Sequence, residues 1–210
     1  MRHSILAAQP ASSGLSFIPS LRSASRPFLV RTLRGLVATA AIGLAGTAAM
    51  AAGMTVESTA FKDGASIPAE HAGDSGTCGG RNVSLPVAWS NLPANTKSVA
   101  VLLSDPDGAS GLGVSHWVAY NIPAERGQLS TGEAAKSIPG VTVGVNVAGV
   151  AAYRGMCPPV GDQPHHYTLT VVATDVAPGT LPDGLTRDAL LAALKGHALG
   201  GQSVIGLYAR

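Results

Sequence analysis

The sequence predicts a mainly β domain of antiparallel strands, a sandwich or a partial barrel, and three features lead to that class. Runs rich in β-branched and aromatic residues recur at 98–104, 116–122, 165–173 and 202–208. Frequent Gly, Pro, Asn and Asp turn signals separate them. One stretch, 186–196, carries a convincing helical pattern, and it comes late in the chain.

Residues 1–51 are set aside first, because they read as a targeting segment. Arg22, Arg26, Arg31 and Arg34 precede an apolar stretch over 35–49, and Ala49-Met50-Ala51 has the small-x-small form of a cleavage site. A membrane span needs roughly 20 apolar residues, more than this Ala- and Gly-rich stretch offers, so cleavage rather than a retained anchor is expected. A periplasmic or secreted protein follows, with no stable membrane span after cleavage.

Removing the leader reverses the charge. Five of the 14 Lys and Arg residues (Arg2, Arg22, Arg26, Arg31, Arg34) and none of the 12 Asp and Glu residues lie in it, so a precursor of +2 becomes nine bases minus twelve acids, or −3. No basic stripe survives, and binding to nucleic acid is excluded as a reading. Residues 52–210 are enough for a single domain with its own core.

The elements follow in order. Residues 55–61 alternate weakly and form an edge strand, closed by the turn Lys62-Asp63-Gly64. Residues 70–82, rich in Gly, Asp and Ser, form a loop around Cys78. A short apolar run at 87–89 precedes the buried strand 98–104. The next strand, 116–122, alternates so that His116, Val118 and Tyr120 share one face and Trp117, Ala119 and Asn121 the other, and Pro123 ends it. Residues 127–140 are small and polar, a surface excursion, and 141–150 form a weak strand or an ordered loop.

Residues 153–159, Y-R-G-M-C-P-P, cannot be regular, since two prolines and a glycine impose a fixed irregular backbone able to turn its amides inward. Residues 165–173 are the clearest strand, with His165, Tyr167, Leu169 and Val171 on one face. Thr186 caps the helix, Asp188 suits its first turn, and Lys195-Gly196 ends it. Residues 202–208 close the fold.

Cys78 and Cys157 are the two cysteines, and in an oxidising compartment a single disulfide between them is the natural inference. Such a bond would close a loop that the chain-entropy model values at on the order of 4 kcal/mol. Two separate thiols are the alternative. Zinc is less favoured, because neither cysteine belongs to a C-x-x-C pair.

The chain is organised around 104–121, where two carboxylates flank a proline at the end of an apolar run and His116 opens the next. Pro106 makes Asp105-Pro106-Asp107 a stiff corner. The residues with chemistry are Asp105, Asp107, His116, Tyr153, His165 and Tyr167, all at strand ends or irregular turns. Each alone has an ordinary explanation: an Asp before Pro forms turns, a His beside Trp sits satisfied in a core, and a strand Tyr packs.

Their combination resembles the phosphatidylethanolamine-binding protein family, in its bacterial Raf-kinase-inhibitor-like branch. The motifs that carry the resemblance are T-C-G-G-R-N-V-S (77–84), Trp89, K-S-V-A (97–100), D-P-D (105–107), H-W-V-A-Y-N-I-P (116–123), Y-R-G-M-C-P-P (153–159) and H-H-Y (165–167). They cover nearly all of 55–210. The resemblance implies a Greek-key β-sandwich with short peripheral helices and a small pocket for phosphate-like anions or phospholipid headgroups. By matching position the pocket comprises Asp105, His116, Tyr153, Gly155, Cys157, Pro158, His165 and Tyr167, while Asp107 and Pro106 brace the corner. The chain departs from the family pattern at Ala109, Met156, His166 and Leu85, where the family has Pro, Pro, Arg and Pro.

A carboxylate at an anion site has one consistent role. Asp105 orients or helps protonate an imidazole, while His116 or His165, the Tyr hydroxyls and loop amides meet the ligand oxygens. The expected function is therefore a non-enzymatic binding protein without a cofactor, with a regulatory or inhibitory protein target as a further implication. A hydrolase using Asp105, His116 and His165 is the alternative, against which stand the missing G-x-S-x-G elbow and H-E-x-x-H signature. The same three residues could instead form a two-His-one-carboxylate metal set.

Overall fold

Eight strands among the described residues build two antiparallel sheets whose inner faces close on one core. The computed structural model describes residues 53–210, and the expected targeting segment lies outside them. The strands are β1 (Thr55–Glu57), β2 (Val87–Ser90), β3 (Ser98–Asp105), β4 (Val114–Pro123), β5 (Gln128–Leu129), β6 (Thr142–Val143), β7 (His165–Thr174) and β8 (Ala198–Tyr208). The small sheet runs β1-β2-β5 and the large one β6-β4-β3-β7-β8. Short 3-10 turns at Ala69–His71 and Ala124–Arg126 flank them. The architecture is the antiparallel sandwich that the sequence predicts.

β3 is central in the large sheet and apolar at nearly every position because it is buried on both faces. Val99, Val101 and Leu103 join Val87, Trp89 and Leu129 of the small sheet in the sandwich interior. Ala100 and Leu102 point the other way, with Val118 and Tyr120, onto Leu190 and Leu194 of the late helix. That helix spans Arg187–Ala193, and Thr186 caps it by accepting the Ala189 amide at 3.3 Å.

β4 departs from the expected alternation at both ends. Leu103 pairs with Trp117 while its neighbour Ser104 pairs with Ser115, so His116 is an extra residue bulged out of the β3–β4 ladder. A second irregularity between Val99 and Val101 coincides with Asn121, whose φ is 57°. The consequence is a correction to the face assignment. His116 turns with Trp117 toward the interior side, where its ring meets Tyr167 edge-on at 5.4 Å. Asn121 turns with Tyr120 toward residues 181–182, its amide donating to the Leu181 carbonyl at 2.9 Å as the Tyr120 hydroxyl donates to Pro182 at 2.7 Å.

Residues 127–140 also differ from expectation. They are no surface excursion throughout, since they supply β5 and bury Leu129 and Ala134 completely. The Ala134 carbonyl accepts the Trp117 indole N–H at 3.0 Å. Small side chains there allow close packing, which composition alone reads as a loop. Residues 141–150 resolve into the two-residue β6 and an ordered loop tied by Asn146.

Candidate functional site

Asp105 ends β3 on its inward face, where the ladder stops at the corner before Pro106. Its Oδ1 accepts the amides of Asp107 at 2.9 Å and Gly108 at 3.0 Å, an Asx-type turn that fixes the carboxylate plane. Gly108 is needed there, because a Cβ would stand 2.7 Å from Val114 Cγ2 and 3.0 Å from Asp105 Oδ2. The other oxygen, Oδ2, accepts from His165 Nδ1 at 2.8 Å and lies 3.9 Å from His116 Nε2. All three residues are buried. One carboxylate thus joins the end of β3, the bulge of β4 and the start of β7.

The second nitrogens show what remains free. His116 Nδ1 donates to the Arg154 carbonyl at 2.8 Å, and the Arg154 amide returns a bond to the His116 carbonyl, so the irregular segment 153–159 fixes this ring and leaves Nε2 to the cavity. His165 Nε2 faces Asp162 at 3.6 Å, beyond a hydrogen bond. Tyr167 is fully buried beneath both rings, and its hydroxyl lies near the Asp105 carboxylate without forming a hydrogen bond of 3.5 Å or less to it or to any other group.

The electrostatics follow from this packing. Burial works to raise the pKa of Asp105, but contacts with His116 and His165, the charge of His165 and the Gly108 amide outweigh it and hold the group at about 2. Burial likewise disfavours charge on His165, yet the hydrogen bond and charge of Asp105, with Asp107 and Asp162, lift its pKa above the ordinary value. Burial first, then the neighbouring Asp105 charge, push the Tyr167 phenol up, so it is a hydrogen-bond donor at any physiological pH.

A cavity of about 340 Å³ opens over these groups, lined also by Cys157, Pro158, Asp107 and the first three residues of the turn, Gly108, Ala109 and Ser110. Asp107 braces the corner: its Oδ2 accepts the His166 amide at 2.7 Å and the His166 ring at 2.9 Å, tying β7 to the turn. His166, where the family has Arg, thereby points away from the cavity. Among the described residues no group of three or more His, Cys, Asp or Glu side chains is placed to hold a metal ion.

Of the residues expected in the pocket, Asp105, His116, Cys157, Pro158, His165 and Tyr167 come together, whereas Tyr153 and Gly155 do not. Tyr153 is a core residue. Its hydroxyl donates to the His71 carbonyl at 3.0 Å and its ring packs edge-on against Trp117 at 5.6 Å. Gly155 packs where a Cβ would sit 2.4 Å from the His71 carbonyl oxygen, and its amide donates to Asn82 Oδ1 at 2.7 Å rather than into the cavity. Sequence reasoning passed over Asn82, Gly108, Arg154 and Asp162. Asn82 carried a signal, since it lies in T-C-G-G-R-N-V-S beside Cys78.

Two departures from the family pattern are absorbed locally. Ala109 has φ 51°, a value closed to proline, so this turn follows a path that the family's Pro cannot take. Met156 is fully buried, its sulfur 3.7 Å from the Tyr153 hydroxyl, and fills the core where the family has Pro. Cys78 and Cys157 are joined in a disulfide, their Cα atoms 5.1 Å apart.

Comparison with known proteins agrees with this fold. Residues 57–209 match the family model described as phosphatidylethanolamine-binding protein. A UPF0098 protein of Methanothermobacter thermautotrophicus is 36% identical over 159 residues, covering 75% of this chain and 99% of that one. The UPF0098 protein YbcL of Escherichia coli is 35% identical over 145 residues, 67% of this chain and 79% of that one. A Mycobacterium tuberculosis relative with a provisional lipoprotein name, LppC, is 34% identical over 158 residues, 74% of this chain and 72% of that one. The crystal structure of Escherichia coli YbcL, described as a new member of the mammalian PEBP family, superposes with a TM-score of 0.70 at 30% identity over 76% of this chain and 99% of that one. With the two-sheet sandwich, the motif order and matches that span almost the whole described region, the chain belongs to the phosphatidylethanolamine-binding protein family.

Proposed function

We propose that the Asp105 cavity binds a small phosphate-like anion, free or as a phospholipid headgroup, and that the chain acts as an exported, non-catalytic binding protein. The observation that carries this reading is the Tyr167 hydroxyl, buried without a partner at the base of a cavity walled by two histidines. A buried donor left unsatisfied costs about 1–3 kcal/mol, and a ligand oxygen is the partner that would recover it. His116 Nε2 and His165 Nε2 add two donors when the rings are charged. The Asp105 charge is committed to two amides and His165, so it supports a cationic imidazole rather than repelling the anion. Export is supported by the disulfide, the leader-like sequence and the lipoprotein name of one relative. No helix among the described residues is long and apolar enough to cross a membrane.

Titration of the purified protein with inorganic phosphate and with phosphoethanolamine, followed by calorimetry and by the Tyr167 and His165 NMR signals, tests the site. Saturable binding that perturbs both residues is expected, and its absence at millimolar anion overturns the reading. Turnover of a phosphoester that disappears in His116→Ala would replace it with a hydrolase.

A further inference from the structure

Segment 157–161 supplies Cys157, Pro158 and Pro159 to one wall of the cavity, and its own chemistry gives it few ways to be held. Pro158 and Pro159 bring no amide hydrogen, so two consecutive residues cannot donate to the rest of the fold. Among the described residues, the hydrogen bonds that reach 158–161 from outside the loop both come from Arg210. Its guanidinium Nε donates to the Pro158 carbonyl, and its own carbonyl accepts the Gly161 amide at 3.1 Å. The same guanidinium uses Nη1 to donate to Thr77 Oγ1 at 2.6 Å.

Thr77 precedes Cys78, and Pro158 follows Cys157. The Arg210 fork and the Cys78–Cys157 disulfide therefore cross one seam side by side, one non-covalent and one covalent. Two rigid planar donors at fixed spacing are what a guanidinium supplies and an ammonium does not.

We propose that Arg210 is a positioning residue for the cavity wall, acting in parallel with the disulfide, so that each tie masks the loss of the other. The inference rests on the anion-binding reading only for its effect on affinity. Reduction of the disulfide by a thiol reductant, which converts the bond to two thiols at the expense of an oxidised reductant, would leave the wall to Arg210 alone.

The test compares Arg210→Ala, Arg210→Lys and Thr77→Val in the native protein and in the Cys78→Ser/Cys157→Ser background. With inorganic phosphate as probe, Arg210→Ala is expected to raise Kd by about threefold when the disulfide is present and at least about tenfold when it is absent, a coupling within the range for groups sharing one network. Arg210→Lys does not rescue, because one ammonium cannot span both acceptors. Additive effects, or full rescue by Lys, overturn the proposal.

Two readouts are independent of ligand. Hydrogen exchange at the Gly161 amide and the rate of disulfide reduction by dithiothreitol should each rise at least about threefold in Arg210→Ala. Unchanged rates overturn the positioning role. If native protein shows no affinity for phosphate while these rates rise, the anion reading fails and the clamp stands.

Discussion

His165 donates Nδ1–H to Asp105 Oδ2 at 2.8 Å, and each partner favours the charged form of the other. The carboxylate lifts the pKa of His165 above the ordinary 6.5 against the pull of burial. The charged ring is the form that presents Nε2–H to an anion. Binding should therefore be strongest below pH 6.5 and fall as pH rises through the raised value. Sulfate keeps a constant charge over this range and isolates the protein's titration. Its affinity measured by calorimetry from pH 5 to 8 should decline toward the alkaline end, and a flat profile sinks this account.

The same pair predicts an acid limb in stability. Asp105 is held at about 2 against an ordinary 3.8, so its contribution is complete above pH 3.8 and lost as pH falls toward 2. The difference corresponds to on the order of 2 kcal/mol. Asp105→Asn should be destabilised at pH 7 and should lose less stability than the native protein between pH 4 and 2, as read by urea unfolding. In the same variant the His165 pKa, followed by NMR, should drop, because only Asp107 and Asp162 then oppose the effect of burial.

Much of this was legible in residue patterns. Period two placed His165, Tyr167, Leu169 and Val171 together, because β7 pairs with β8 without interruption from His165 to Ala173. Asp-Pro-Asp marked a corner because proline stops a ladder. The failures at the site share one cause, the local geometry of bulges and irregular turns. His116 escaped its predicted face because an inserted residue shifts the alternation, and no residue type at 114–117 announces the insertion. Tyr153 sits in a motif that supplies the cavity through Cys157 and Pro158, but its own side chain turns inward to His71, a contact 82 positions away.

Tyr153 then serves as a control for the site assignment. Tyr153→Phe leaves the buried His71 carbonyl without its donor and should cost about 1 kcal/mol. Because the ring keeps its place against Trp117, phosphate affinity should stay within roughly twofold. A large loss of affinity at unchanged stability would return Tyr153 to the pocket.

The turn beside Asp105 stores strain. Ala109 and Ser110 have φ of 51° and 59°, the left-handed region that costs a non-glycine residue roughly 1–2 kcal/mol. Ala109→Gly should raise stability by about 1 kcal/mol in chemical denaturation. Ala109→Pro, which restores the family residue, should be destabilising by about 3 kcal/mol or more unless the turn rearranges, since proline cannot adopt that φ. An Ala109→Pro protein as stable as the native one would show that the turn has a second low-energy path.

Tyr167 separates function from stability most cleanly. Its hydroxyl is buried with no partner, so the folded protein carries the desolvation cost of that group without a compensating bond. Tyr167→Phe removes the orphan atom while keeping the ring that His116 meets edge-on at 5.4 Å and that stacks near His165. Stability should be unchanged or higher by about 1 kcal/mol. If the hydroxyl is kept for a ligand oxygen, phosphate affinity should fall by roughly ten- to a hundredfold in the same variant, the value of one hydrogen bond to a charged acceptor. A variant with both stability and affinity unchanged would remove the observation on which the anion site stands. Opposite movement of the two quantities, a sturdier fold with weaker binding, is the signature expected of a residue retained for its ligand rather than for the core.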